Sequence, residues 1–203
     1  MRMNSRGTRC VSPVIALLGA LLLPGLALAH AGHTHDAAGM LQGLLHPLTG
    51  LDHVLAMVAV GWWAAVTQPK RWWATPLVFA LATFAGAVVG AATQVPLPGI
   101  ELVIALSVVV FGALMLVSWS APVRVAVLLA TTLGATHGIA HGLELSGGTG
   151  AGGWLLGMAA GTLLLHAAGA FAGRIAAAHA RWSTRVAGAT TAAAGVMLLV
   201  GAA

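Results

Sequence analysis

Six apolar runs of about twenty residues each leave this chain of 203 residues few ways to fold. They lie roughly at 39–65, 74–94, 99–119, 123–145, 152–173 and 184–202. A run of that length covers a bilayer core as a single helix. In lipid every backbone N–H and C=O must be paired within the protein, which only helices and closed barrels achieve. The expected fold is therefore all-α, a polytopic transmembrane helix bundle of six spans. Apolar residues make up 59% of the chain and charged residues 6%, with a mean hydropathy of +0.96, outside the range of soluble globular domains. The net charge of +5 comes from Lys and Arg placed between the runs and at the N-terminus. It forms no single basic patch, so no nucleic-acid partner is expected.

Residues 1–29 read as a cleavable signal peptide. Arg2, Arg6 and Arg9 precede an apolar stretch from Val14 to Leu26, and Ala27-Leu28-Ala29 supplies a small-residue cleavage site. Cleavage removes Cys10, the single cysteine, and leaves a mature chain without thiol or disulfide chemistry. Residues 30–38 then form a short stretch outside the cytoplasm that carries His30, His33 and His35, candidates for collecting metal ions, and residues 39–203 form the membrane domain.

Positive charge orients the spans. With the mature N-terminus outside, Lys70, Arg71, Arg124, Arg174, Arg181 and Arg185 all fall on inner loops or their flanks, and the outer loops hold none. Trp62, Trp63, Trp72, Trp73, Trp119 and Trp182 cluster near the same inner boundaries, where an aromatic belt is expected, and Trp154 marks the outer side. Both mature termini are then outside. Glycines recur four apart within spans, as in Gly134, Gly138 and Gly142, a spacing that lets helix backbones approach closely.

Ionisable side chains are costly at membrane depth and usually functional there. Three of the four carboxylates nevertheless lie in or at the edge of apolar runs, and two of those runs also carry paired histidines. The first motif is HPLTGLDH, His46 to His53; the second is HGIAHGLE, His137 to Glu144; between them Glu101 opens the third run. The inferred topology brings all three to the outer half of the bundle. On one helix His46 and His53 share a face two turns apart, and Asp52 can either ligate or hold a ligating imidazole. His137, His141 and Glu144 follow i, i+4, i+7 spacing and form one stripe. Imidazole with carboxylate suits first-row divalent ions such as Ni, Co, Zn and Cu over Mg or Ca. The candidate metal residues are thus His46, Asp52, His53, Glu101, His137, His141 and Glu144. His166, deeper in the fifth run, is expected to be a packed, hydrogen-bonded histidine, and His179 a surface residue.

At these motifs the chain resembles the HupE/UreJ family of nickel and cobalt permeases. The H-x5-D-H core of the first motif, the Pro-x-x-Glu start of the third span and HGIAHGLE carry the resemblance, which extends over the mature chain. It implies a bacterial inner-membrane permease that takes up Ni2+ (or Co2+) from the periplasm as its substrate, without a tightly bound cofactor. It also implies a link to the maturation of nickel enzymes such as hydrogenase or urease. The lipid bilayer and the divalent ion are the expected partners, and no enzymatic activity is expected. Rival readings are an intramembrane metallohydrolase, a b-type haem protein, and a metal-binding accessory or sensor protein. No HExxH motif is present for the first, and the carboxylates beside the histidines suit a hydrated cation better than a porphyrin.

Overall fold

The computed structural model describes residues 35–145 and 150–202, apart from the side chains of 35–38 and 181. The signal peptide, His30 and His33 lie outside the described residues, and of His35 only the backbone falls within them. Among the described residues there are helices and no strands: α1 (His35–Leu45), a 3-10 turn (His46–Leu48), α2 (Leu51–Thr67), α3 (Ala74–Thr93), α4 (Ile100–Leu116), α5 (Val123–Glu144), α6 (Ala151–His179) and α7 (Arg181–Ala202). By length and apolarity four helices can cross a membrane, or five when α1 and α2 count as one broken span.

The first apolar run is where the structure departs most from the expectation of a continuous helix over 39–65. Its two halves meet at 80°. Pro47 has no N–H to extend α1, and its ring disfavours a preceding helical turn. Gly50 is extended (φ −106°, ψ 124°) and restarts the chain as α2. Thr49 closes the turn between them, its N–H and its Oγ1 both donating to the His46 carbonyl at 2.9 and 2.7 Å. His46 and His53 therefore do not share a helix face; a bend, not a period, relates them.

Two other boundaries shift for simple reasons. The third helix stops at Leu116 instead of 119, because Ser118 takes a left-handed conformation (φ 50°) ahead of Pro122. The fifth runs on to His179, absorbing most of the expected loop 174–183, since Arg174 to His179 holds three alanines and no helix breaker. At 1.5 Å per residue, its 29 residues span about 43 Å, so its ends extend beyond a hydrocarbon core about 30 Å thick.

The helices pair through backbone-to-backbone contacts at glycines. α3 lies on α5 with Phe79 opposite Gly134, Thr83 opposite Gly138 and Ala87 opposite Gly142, so the two run parallel. A Cβ at Gly138 would collide with the Thr83 carbonyl. Both α1 and α2 follow α6 in the same direction, Met40 against Gly157, Leu44 against Gly161, Val58 against Gly169 and Trp62 against Gly173. By contrast α4 and α7 are antiparallel, with Val109 near Gly195 and Leu116 near Gly188. These three directions are mutually consistent with strict up-and-down alternation along the chain.

One end of the bundle is basic and tied together. Trp63 Nε1 donates to the Trp119 carbonyl at 2.8 Å, Trp62 Nε1 to Thr184 Oγ1 at 3.2 Å, and Ser120 Oγ to the Thr67 carbonyl at 2.9 Å. The Arg174 guanidinium lies 4.6 Å from the Trp72 ring centre. Trp62 and Trp63 are buried, which corrects the expectation that they join a lipid-facing belt; Trp73, Trp119 and Trp182 are exposed and fit it. An indole can be buried when its N–H finds an acceptor, as both do here.

Candidate metal centre

At the opposite end, the bend between α1 and α2 meets the end of α5. His46 Nε2 lies 2.8 Å from His141 Nδ1 and 3.1 Å from Glu144 Oε2, and donor atoms of the three residues fall within 4.8 Å of one another. Nitrogen ligands about 2.1 Å from an ion sit roughly 2.9 Å apart when they occupy adjacent octahedral positions. The two short edges, both also hydrogen-bond lengths, lie near that spacing, and the three donors are close enough together to form a candidate cation site. Accessibility is graded across it: Glu144 is 61% exposed at its side chain, His46 23%, and His141 is 2% exposed overall. Trp154 walls one side, its ring 4.9 Å from that of His46.

His53 is oriented by its neighbour. Asp52 Oδ1 accepts hydrogen bonds from both the backbone N–H and the Nδ1–H of His53, each at 2.8 Å. A carboxylate only accepts, so the proton must be on Nδ1, which makes Nε2 the lone-pair nitrogen. That nitrogen is buried and has no hydrogen-bond partner among the described residues. Carboxylate, imidazole and an open nitrogen in series form the arrangement that metal-ligating histidines typically use. Asp52 also sits in the first turn of α2, where the helix dipole favours its charge. In this geometry Asp52 holds the His53 imidazole, one of the two roles left open by the sequence.

His137 is fixed by the same logic. Ser107 Oγ donates to the Ile104 carbonyl at 2.6 Å and lies 2.9 Å from His137 Nε2. With its one proton already committed, the hydroxyl accepts from Nε2–H, leaving Nδ1 as the free nitrogen. Nδ1 too is buried and unpartnered. The rings are in file: His46 to His141 4.6 Å between centres, His141 to His53 4.3 Å, and His53 to His137 4.9 Å.

Six of the seven candidate metal residues therefore converge. Glu101 does not: it is exposed in the first turn of α4 and takes part in no hydrogen bond or ion pair among the described residues. His166 is buried as expected but lacks the expected hydrogen bond at either ring nitrogen. His179 is on the surface, where its Nδ1 lies 2.8 Å from the Ile175 carbonyl. Gln94 caps the end of α5, donating to the carbonyls of Gly142 at 3.1 Å and Leu145 at 3.4 Å. Sequence reasoning passed over Ser107, although it and Glu101 are the only polar side chains of α4; that isolation was the available signal.

The sequence profile of the HupE / UreJ protein family matches residues 17–198. The chain is also similar to the protein named Protein HupE from Rhizobium leguminosarum bv. viciae, with 39% identity over 196 residues, covering 94% of this chain and 98% of that protein. No solved structure matches. An all-helical membrane bundle with a histidine and carboxylate cluster at one end, matched over nearly its whole length, belongs to the HupE/UreJ family.

Proposed function

We propose that this protein is a permease that takes up Ni2+ or Co2+ from the periplasm into the cytoplasm across the bacterial inner membrane, with both mature termini periplasmic. The observation that carries this reading is the cluster of His46, His141 and Glu144, whose donor atoms lie within 4.8 Å of one another. Its position supports the direction, because the cluster lies at the end of the bundle opposite the basic loops, which belong on the cytoplasmic side.

A hydrated ion meets Glu144 first, exposed and anionic, and exchanges water for His46 and His141 as it moves in. Asp52 keeps the free nitrogen of His53 turned toward the cluster. Glu101, on the same end of the bundle, is assigned to the mouth, where its charge raises the local cation concentration. Any histidines of residues 30–38 act there as collectors. Inward movement of a divalent cation gains about 4.6 kcal/mol per 100 mV of membrane potential. The nickel taken up would serve maturation of enzymes such as hydrogenase or urease.

The test is radioactive nickel uptake into proteoliposomes, comparing wild type with His46→Ala and Asp52→Ala at equal membrane abundance, with Co2+ and Zn2+ as competitors. Collapse of uptake in both variants is expected, and the competitors rank the metals. Wild-type uptake no faster than that of empty vesicles would sink transport by this chain and leave a metal-binding accessory role.

A further inference from the structure

His166 stands near the middle of α6, and both of its ring nitrogens are buried without a hydrogen-bond partner among the described residues. In either tautomer a neutral imidazole carries one N–H, and burying that donor unpaired costs about 1–3 kcal/mol. A leucine or phenylalanine would fill the space without that cost. One turn earlier on the same face, Thr162 is fully buried and its hydroxyl is also unpartnered. Thr67, Thr83, Thr93, Thr136 and Thr190 all donate to the carbonyl four residues back, the ordinary solution for a helical threonine in an apolar setting. Thr162 does not take it. Two adjacent polar groups thus lack partners among the described residues at the buried centre of the bundle.

They are also connected to the outer cluster. Phe79 packs against His137, 5.5 Å between ring centres, and against His166, 5.3 Å. The file of rings that starts at His46 thereby continues past His137 to His166 with one aromatic step. His166 also lies deeper: its backbone faces Gly61 of α2, eight residues or about 12 Å beyond His53.

We propose that His166 and Thr162 form a second cation station near mid-membrane, reached from His137 across Phe79 and taking a partly dehydrated first-row divalent ion. This rests on the reading of the outer cluster as a cation site. The station differs from that cluster in one respect that bears on transport. Its donors are all neutral, whereas Asp52 and Glu144 belong to the outer group. An ion bound by imidazole, hydroxyl and residual water is held more weakly, and passage requires sites weak enough to release what they accept. A strong anionic site outside followed by a weak neutral site inside gives the ion a descending ladder of affinity toward the cytoplasm.

The experiment is Co2+ binding to the purified full chain in detergent by equilibrium dialysis, which reads the station whether or not the chain transports. With His30, His33 and His35 replaced by alanine, so that these collectors contribute no site, the chain is expected to bind two ions with different affinities. In that background His166→Leu and Thr162→Val should lose or weaken the weaker one only, and His46→Ala the stronger one. A single Co2+ in the background chain, or a weak site that persists in His166→Leu, overturns the station; the first result would leave the pair holding only water. Binding unaltered by His46→Ala would instead overturn the outer cluster. Should His166→Leu fail to fold, His166→Cys in a Cys10→Ser background replaces it. There a thiolate-to-cobalt charge-transfer band supports the station, and its absence in folded protein that still binds Co2+ refutes it.

Discussion

His46 and His141 are ninety-five residues apart in sequence, yet their nitrogens meet at 2.8 Å. Glu144, as a carboxylate, can only accept, so the proton shared among the three belongs to His46 Nε2. In neutral His46 the lone pair is then on Nδ1, so ligation through Nε2 calls for the other tautomer, with the proton moved to Nδ1.

The proposed ligation sets a pH dependence. Only the neutral form of an imidazole ligates, so protons compete with metal as pH falls. The KM for nickel uptake should therefore rise as external pH is lowered, by up to roughly tenfold per pH unit for each imidazolium that must lose its proton. Uptake measured between external pH 5 and 8 at fixed membrane potential checks this, and a flat profile would argue against histidine ligation.

Asp52→Asn should act through His53. The amide is a weaker acceptor and leaves His53 free to turn its Nε2 away, so metal affinity is expected to fall by about 10–100-fold. Protein abundance should be unchanged, since among the described residues Asp52 bonds only to His53. Cobalt titration of the purified variant provides the measurement.

Gly50 offers a second way to disturb the same pair. A Cβ there would come within 2.7 Å of both Asp52 Oδ1 and His53 Nδ1. Gly50→Ala should therefore raise the KM for uptake, while the extended backbone at this position tolerates alanine and folding survives. Normal KM in that variant would show that the Asp52–His53 pair can be moved without consequence.

Gly138→Val should fail at assembly instead. The Thr83 carbonyl occupies the space of its side chain, and packing in lipid depends on such close approach. Overpacking of this kind costs about 1–3 kcal/mol or more. Loss of the monodisperse peak in detergent gel filtration is expected, where Asp52→Asn keeps it.

Trp63→Phe isolates a stabilising bond far from the metal. It removes the donor to the Trp119 carbonyl and should lower stability by about 0.5–1.5 kcal/mol. Thermal unfolding in detergent should shift downward with uptake KM unaffected.

The sequence revealed the helices and their alternation because bilayer thickness and backbone pairing permit little else. The convergence of HPLTGLDH and HGIAHGLE was legible for the same reason, since topology alone placed both motifs at one end. What periodicity could not give was the bend. Pro47 and Gly50 permit a break without dictating its angle; a helical wheel puts His46 and His53 on one face, and the 80° break achieves their meeting by another route. Trp62 and Trp63 misled because a boundary position suits a belt as well as a capped, buried indole; only the acceptors Thr184 and Trp119 distinguish them. Ser107 was marked only by its isolation in α4, and Thr162 by nothing, because their meaning lies in where their single protons go, which depends on neighbours from other helices or on their absence.

The break between α1 and α2 also couples the proposed site to the fold. His46 stands on one side of the break and His53 on the other, and both contact His141. Any change in the angle between these helices alters the distance between the two imidazoles. Under the proposed function, an ion held by both would fix that angle, so that loading would tighten the elbow and straightening it would release the ion.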